Sequence, residues 1–191
     1  MRPLLLYSLP LLIVGLSGQV NETFDRAVMK HLYVEKGATL AEATEQLGIY
    51  GACYKIGIMM YLFIQAFRYA AEPFYFSKQK DKDAKQVYAS IMKYFVMVCL
   101  VAFLGIVLYL DVVKYFIRNE AYYVGLKIVP ILLLAYVFWG IYYNLSFWYK
   151  LTNKTYFGAI ISAIGAFITI GLNFMLIPKM GYMGAAWATL V

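Results

Sequence analysis

Three polar side chains share one side of an otherwise apolar stretch, the run 47–72. Gln65, Arg68 and Glu72 are spaced i, i+3, i+7, so on a helix at 100° per residue they fall within about 80° of one another. Polar groups inside a membrane are costly and mark functional sites. One interpretation is therefore a hydrophilic cavity lined by this face. The other is that Arg68 and Glu72 pair near a helix end and snorkel towards the headgroups.

Two further polar residues are candidates for a site within apolar runs. Lys55 lies about 140° from Arg68 around the same predicted helix, where it can either snorkel or present a positive charge to an anionic substrate. Asn173 ends a stripe of small and polar residues, which comprises Gly158, Ser162, Gly165, Ala166 and Thr169. Such stripes let helices pack closely in lipid, so either close packing or a cavity-lining role for Asn173 is open.

No pattern of catalytic or metal-binding residues accompanies these candidates. Cys53 and Cys99 both lie in apolar runs and are interpreted as small buried hydrophobes. His31 has no partner at zinc-ligand spacing. The sequence contains no nucleophile elbow, phosphate-binding loop or dinucleotide fingerprint. We therefore expect no enzyme activity, no catalytic residues, no metal and no cofactor.

The composition indicates that the solvent of this chain is a lipid bilayer. Apolar residues make up 63% and charged residues 14% of the 191 positions, against roughly 45–50% and about 25% in soluble domains. The formal net charge is +7. The basic residues lie mainly in short segments between apolar runs, where they set membrane orientation. We expect no nucleic-acid partner.

The apolar runs predict an all-α, polytopic transmembrane helix bundle that forms one domain over 1–191. A span needs about 20 mostly apolar residues, and five runs reach that length, with Pro10 and Pro130 inside two of them as kinks. A signal peptide is the alternative for the first run. A sixth run of about 10 residues corresponds to roughly 15 Å of helix, too short to cross, which predicts a fragment of a larger protein. The predicted spans are 3–20, 47–72, 94–113, 124–148, 157–177 and the partial 182–191.

The connections between spans are polar and carry local helix signals. Thr39 followed by Glu42 is a capping-box pattern, which predicts a helix from Leu40 that continues into the second span. Upstream, the segment 23–33 is predicted to be a short surface helix. Residues 74–90 contain a cluster of lysines, which predicts a cytoplasmic segment. Its members are Lys78, Lys80, Lys82 and Lys85.

The last forty residues resemble the polysaccharide flippases of the multidrug/oligosaccharidyl-lipid/polysaccharide exporter superfamily. In that family a helix ends in Leu-Asn-x-x-Leu-Ile-Pro, and after a glycine turn Gly-Ala-Ala-x-Ala-Thr begins the next helix. The second span, with its Tyr50-Gly51-Ala52 and Lys55-Ile56, is similar to the second helix of a family lobe. The matching hallmark positions are Leu172, Asn173, Leu176, Ile177, Pro178, Gly181, Gly184, Ala185, Ala186, Ala188 and Thr189.

The resemblance implies a fold of two lobes with roughly 12 to 14 spans around a cavity that works by alternating access. This chain resembles most of the second lobe, which implies a missing first lobe as its partner. It further implies a multi-pass protein of the cytoplasmic membrane that flips an undecaprenyl-diphosphate-linked oligosaccharide for cell-surface polysaccharide biosynthesis. Lys55 and Arg68 are the candidates to hold the diphosphate, with Gln65, Glu72 and Asn173 lining the cavity.

Two alternatives to this function stay open. A cation-coupled multidrug exporter of the same superfamily would carry acidic residues within the membrane, and the predicted spans offer only Glu72 and Asp111 near their ends. A non-transporting membrane scaffold for polysaccharide assembly is the other alternative. The sequence does not distinguish the sugar, the coupling ion or the oligomeric state.

Overall fold

The described part of the chain is a bundle of α-helices without any strand, which confirms the predicted all-α class. The structure is a computed structural model that describes residues 2–35 and 37–191, apart from the side chains of 2–6 and 20–22. Two 3-10 helices, Lys114–Phe116 and Glu120–Ile128, precede α5. The α-helices are α1 (Arg2–Glu35), α2 (Leu40–Lys78), α3 (Ala84–Leu108), α4 (Leu110–Val113), α5 (Val129–Leu151), α6 (Thr155–Met180) and α7 (Tyr182–Leu190).

Four helical segments of the described chain are long and apolar enough to cross a bilayer: Leu40–Lys78, Ala84–Leu108, Glu120–Leu151 and Thr155–Met180. They contain the second to fifth predicted spans almost completely. Large apolar side chains on their outer faces, such as Val101 and Phe167, are exposed, and soluble proteins avoid so much exposed apolar surface. The chain is therefore a multi-pass membrane protein.

Helix α1 is longer than the sequence analysis predicted. The first predicted span, 3–20, lies within it, although residues 3–6 and 20 of that span lie outside the described side chains. The prediction of a separate, short surface helix at 23–33 was wrong, because α1 continues through these residues to Glu35. Met29 is fully buried, since this part of α1 packs against neighbouring helices instead of lying on the membrane surface.

Helices α1 and α6 run parallel to each other. At one end the Thr155 hydroxyl donates to the carbonyl oxygen of Tyr7 at 3.1 Å. Further along, the rings of Phe24 and Phe174 meet edge to face, with 6.2 Å between their centroids. Positions in α1 therefore face positions about 148 to 150 residues later in α6, and this register decides which polar side chains meet.

Helix α2 begins as predicted but ends later. The Thr39 side chain accepts from the Glu42 backbone N–H, and the Glu42 carboxylate accepts from the Thr39 N–H at 2.8 Å, so the capping box is confirmed. Beyond the predicted span 47–72, the helix continues through the exposed Pro73 to Lys78. The predicted connection 74–90 therefore shortens to a turn at 79–83.

The third and fourth predicted spans are shifted in the structure. Helix α3 starts ten residues before the predicted 94–113 and stops at Leu108. The predicted 124–148 begins as a 3-10 helix, and its Pro130 stands in the first turn of α5 rather than within a continuous helix. Proline at that position needs no hydrogen-bond partner for its nitrogen, so Pro130 suits the start of α5.

The small-residue stripe of α6 faces protein, and the large apolar residues face outwards. Gly158, Ala166 and Thr169 are buried, whereas Ile160 and Ile164 are exposed. A Cβ added at Gly158 would lie 2.6 Å from Cζ of Tyr149 in α5. The Ser162 and Tyr142 hydroxyls lie 2.7 Å apart. The stripe therefore serves close packing along most of its length.

Candidate functional site

The three polar residues of α2 lie against α5. The Arg68 guanidinium donates from Nη1 to Gln65 Oε1 at 3.2 Å, and its central carbon lies 4.2 Å from the centroid of the Tyr143 ring. Gln65 in turn donates to the Tyr61 hydroxyl at 2.5 Å. The Nε of Arg68 is buried and has no hydrogen-bond partner among the described residues. Arg68 therefore packs on an aromatic face and keeps one donor free.

Two residues of α5, Tyr143 and Lys150, complete this group. The Lys150 ammonium lies 3.4 Å from Glu72 Oε1 and donates to the Tyr143 hydroxyl at 3.1 Å. The Lys150 side chain is only 12% exposed and that of Glu72 is 34% exposed. We call Gln65, Arg68, Glu72, Tyr143 and Lys150 the cationic cluster, since it holds two cations and one carboxylate.

The sequence analysis missed Lys150 as a site residue and treated it as a loop charge. Its spacing of seven residues from Tyr143 places both on one face of α5, which was the available signal. What selects that face is the parallel packing of α2 on α5. The Tyr75 hydroxyl donates to Asn144 Oδ1 at 2.9 Å, and the Tyr75 ring stacks on Phe147 with 4.3 Å between centroids.

Lys55 and Asn173 are not part of the cationic cluster. Lys55 is exposed on another side of α2. Asn173 is 0% exposed in α6, and neither atom of its side-chain amide has a hydrogen-bond partner among the described residues. The structure thus brings together Gln65, Arg68 and Glu72, and separates them from the other two candidates.

A second group of polar side chains surrounds Asp25 of α1. Asp25 is buried, with only 1% of its surface exposed. The hydroxyl of Tyr50 in α2 donates to Asp25 Oδ2 in a short hydrogen bond. The Thr189 hydroxyl of α7 lies 3.3 Å from that of Tyr50. Asn173 is adjacent to Phe174, which contacts Phe24, so it lies at the same level of the bundle. We call Asp25, Tyr50, Asn173 and Thr189 the polar layer.

The polar layer corrects the sequence analysis. Only Glu72 and Asp111 were considered as acidic residues of the membrane region, because 21–46 was taken as a polar connection. Since α1 is continuous, Asp25 is carried into the bundle instead. The side chain of Asp111 is 97% exposed and pairs with Lys114 at 3.2 Å; this hydrogen bond raises the pKa of Lys114.

The two groups lie at opposite ends of the bundle. Arg68 follows Tyr50 by 18 positions in α2, which corresponds to about 27 Å of helix. A buried carboxylate that accepts from a hydroxyl can take up a proton or a cation, because a charge is costly in a medium that excludes water. Two cations against an aromatic ring can instead hold an anion. The arrangement therefore offers one site for each sign of charge.

Known proteins add no further assignment to this chain. No family model matches the sequence, and no curated protein or solved structure matches the chain.

Proposed function

We propose that this chain belongs to a flippase that moves a lipid-linked oligosaccharide across the cytoplasmic membrane for cell-surface polysaccharide biosynthesis. The observation that carries the proposal is the polar layer, in which Asp25 and Asn173 are buried among apolar helices. Residues of this kind in a membrane mark ion, proton or substrate pathways. The substrate class comes from the resemblance of 152–190 to the polysaccharide flippases.

Transport of a lipid-linked oligosaccharide makes physical demands that fit the separation of the acidic polar layer from the cationic cluster. The sugar cannot enter hydrocarbon, whereas a polyprenyl tail stays in lipid, so the protein needs a polar route and a hold on the anionic linkage. Lys55 and Arg68 supply positive charge on two sides of α2. An ion that binds the polar layer with different affinity in two arrangements of the helices would couple its own gradient to transport.

The proposal is tested by deleting the gene in the organism that encodes the chain. We expect surface polysaccharide to disappear and lipid-linked oligosaccharide to accumulate where only cytoplasmic reagents reach it. Restoring the complete gene restores export. Unchanged surface polysaccharide, or oligosaccharide that accumulates on the outer leaflet, would overturn the proposal, and the second result would support the scaffold alternative.

A cation-coupled multidrug exporter is the second candidate, and Asp25 is the observation that favours it, since such an exporter requires an acidic residue within the bundle. In the deletion strain, an exporter would be revealed by increased retention of cationic dyes with normal surface polysaccharide. If the protein is a flippase, the deletion strain should lose surface polysaccharide and retain cationic dyes at the normal level.

A further inference from the structure

The cationic cluster has an unbalanced charge and an unused donor. Glu72, the one carboxylate of the cluster, pairs with Lys150. Arg68 instead contacts the Gln65 amide and the Tyr143 ring. The Nε of Arg68 is buried and has no hydrogen-bond partner among the described residues. A buried donor and an excess cation are both costly in a medium that excludes water. An anion with several acceptor oxygens would lower both costs at once.

We propose that Arg68 and Lys150 bind the phosphate group of a lipid headgroup, and that Glu72 holds Lys150 when no lipid is bound. The guanidinium of Arg68 offers a planar set of donors that matches phosphate oxygens, and Lys150 adds a point charge. The site rests on these contacts and does not depend on which molecule the protein transports.

The position of the cluster favours a lipid over a soluble phosphate. Lys150 lies at the end of α5, next to the turn 152–154, and its ammonium reaches Glu72 of α2. Arg68 lies one helical turn deeper than Glu72, ten residues before α2 ends at Lys78. The neighbouring rings of Tyr69 and Trp148 are exposed, as is typical of aromatic side chains at headgroup level. A headgroup at this depth meets the cations while its tails follow the apolar outer surface.

Glu72 acts as an internal competitor. Its carboxylate lies 3.4 Å from the Lys150 ammonium and is about three times as exposed as that lysine. It can therefore turn towards water when a phosphate replaces it, whereas Lys150 remains between Tyr143 and Phe147. Removing the carboxylate should strengthen phosphate binding, a result that a purely structural ion pair does not give.

The test is a lipid titration of the full chain in detergent, read by native mass spectrometry. The probes are phosphatidylglycerol, a polyprenyl phosphate, diacylglycerol with matched tails, and inorganic diphosphate. We expect Arg68→Gln and Lys150→Gln to weaken binding of the phosphate lipids by at least about tenfold. Glu72→Gln should tighten it several-fold. Lys154→Gln is the matched control, because Lys154 is exposed in the nearby turn, and should change nothing.

Preference for the polyprenyl phosphate would assign the site to a lipid carrier, and preference for phosphatidylglycerol would assign it to bulk lipid; either supports the proposal. Equal binding of diacylglycerol and phosphatidylglycerol would overturn it, as would binding of free diphosphate alone. If the cation variants do not fold, Glu72→Gln decides, since weaker or unchanged phosphate binding in that variant contradicts the competitor role. Failure here would remove Arg68 as a residue that holds the anionic linkage, but it would not overturn the flippase proposal, because that proposal rests on the polar layer.

Discussion

At the scale of single residues, the two charged groups are stabilised in different ways. Asp25 is almost fully buried and accepts hydrogen bonds from the Tyr50 hydroxyl and from the Arg26 backbone N–H, the latter at 2.7 Å. Arg68 is half-buried and relies on the Tyr143 ring and the Gln65 amide. The Asp25 carboxylate therefore accepts from its own helix and from α2, whereas the Arg68 guanidinium packs on a ring and keeps its Nε without a hydrogen-bond partner among the described residues.

The replacement Asp25→Asn separates the charge of this residue from its hydrogen bonds. The amide oxygen of asparagine can accept from the Arg26 backbone N–H, and its NH2 group can donate to the Tyr50 hydroxyl oxygen, so the bundle should remain folded. Without the carboxylate, a proton or cation is no longer held, and we expect transport to fall by at least about tenfold. Transport is measured as surface polysaccharide in cells that express the variant at wild-type level.

Asp111→Asn is the matched control for that experiment, because the Asp111 side chain is exposed and pairs with Lys114. It should leave transport unchanged. Normal polysaccharide output from Asp25→Asn would remove the coupling role and leave Asp25 as a packing residue.

At the scale of elements, the turn between α6 and α7 determines how the last helix returns along the bundle. Gly181 adopts a φ of 62°, which side chains with a Cβ rarely tolerate. Three residues later, a Cβ at Gly184 would overlap the carbonyl oxygen of Leu176 and lie 2.9 Å from the nitrogen of Ile177. Gly181 is therefore required by its backbone conformation, and Gly184 by the close approach of two backbones.

We expect Gly184→Ala to destabilise the protein by about 1–3 kcal/mol, because overpacking against backbone cannot be relieved by a side-chain rotation. In a chain of this size that lowers Tm by about 2–4 °C for each kcal/mol. Thermal unfolding in detergent, followed by circular dichroism, measures the change.

Gly165→Ala in the middle of α6 is the control, since nothing lies within 4 Å of the added Cβ. It should raise Tm slightly, because alanine favours a helix more than glycine does. A Gly184→Ala variant as stable as the Gly165→Ala variant would show that α7 is free to shift away from α6.

At the scale of the whole molecule, the helices give the bundle two distinct ends. The Gln79 side chain donates to the carbonyl oxygen of Leu151 at 2.7 Å, which joins the turn 79–83 to the turn 152–154. The segment 109–119 lies at the opposite end of α3. Lysines are frequent at the first end, so we predict that this end faces the cytoplasm.

Cysteine labelling tests this orientation in intact cells. An impermeant thiol reagent added from outside should modify Arg118→Cys and leave Lys80→Cys unmodified, and permeabilised cells should show labelling of both. Cys53 and Cys99 are buried, so the background from native thiols should be low. If only Lys80→Cys were labelled from outside, the predicted orientation would be wrong and the turn 79–83 would face outwards.

The sequence by itself determined the features that depend on neighbouring residues along the chain. The helix start at Thr39, the inward face of the α6 stripe and the all-helical class all follow from local hydrogen bonding and from the helical period. The same local pattern placed Gln65, Arg68 and Glu72 on one face of α2, and the structure shows the contacts that they make there.

Only the tertiary structure decided which polar side chains meet across helices. Asp25 is 25 positions from Tyr50 and 164 from Thr189 along the chain, and a polar segment on a continuous helix looks the same as a loop until its packing partner is known. Lys150 became part of the cationic cluster because α5 lies parallel to α2. The register and pairing of helices depend on how their whole surfaces pack together. The spacing of residues along one helix does not predict that packing.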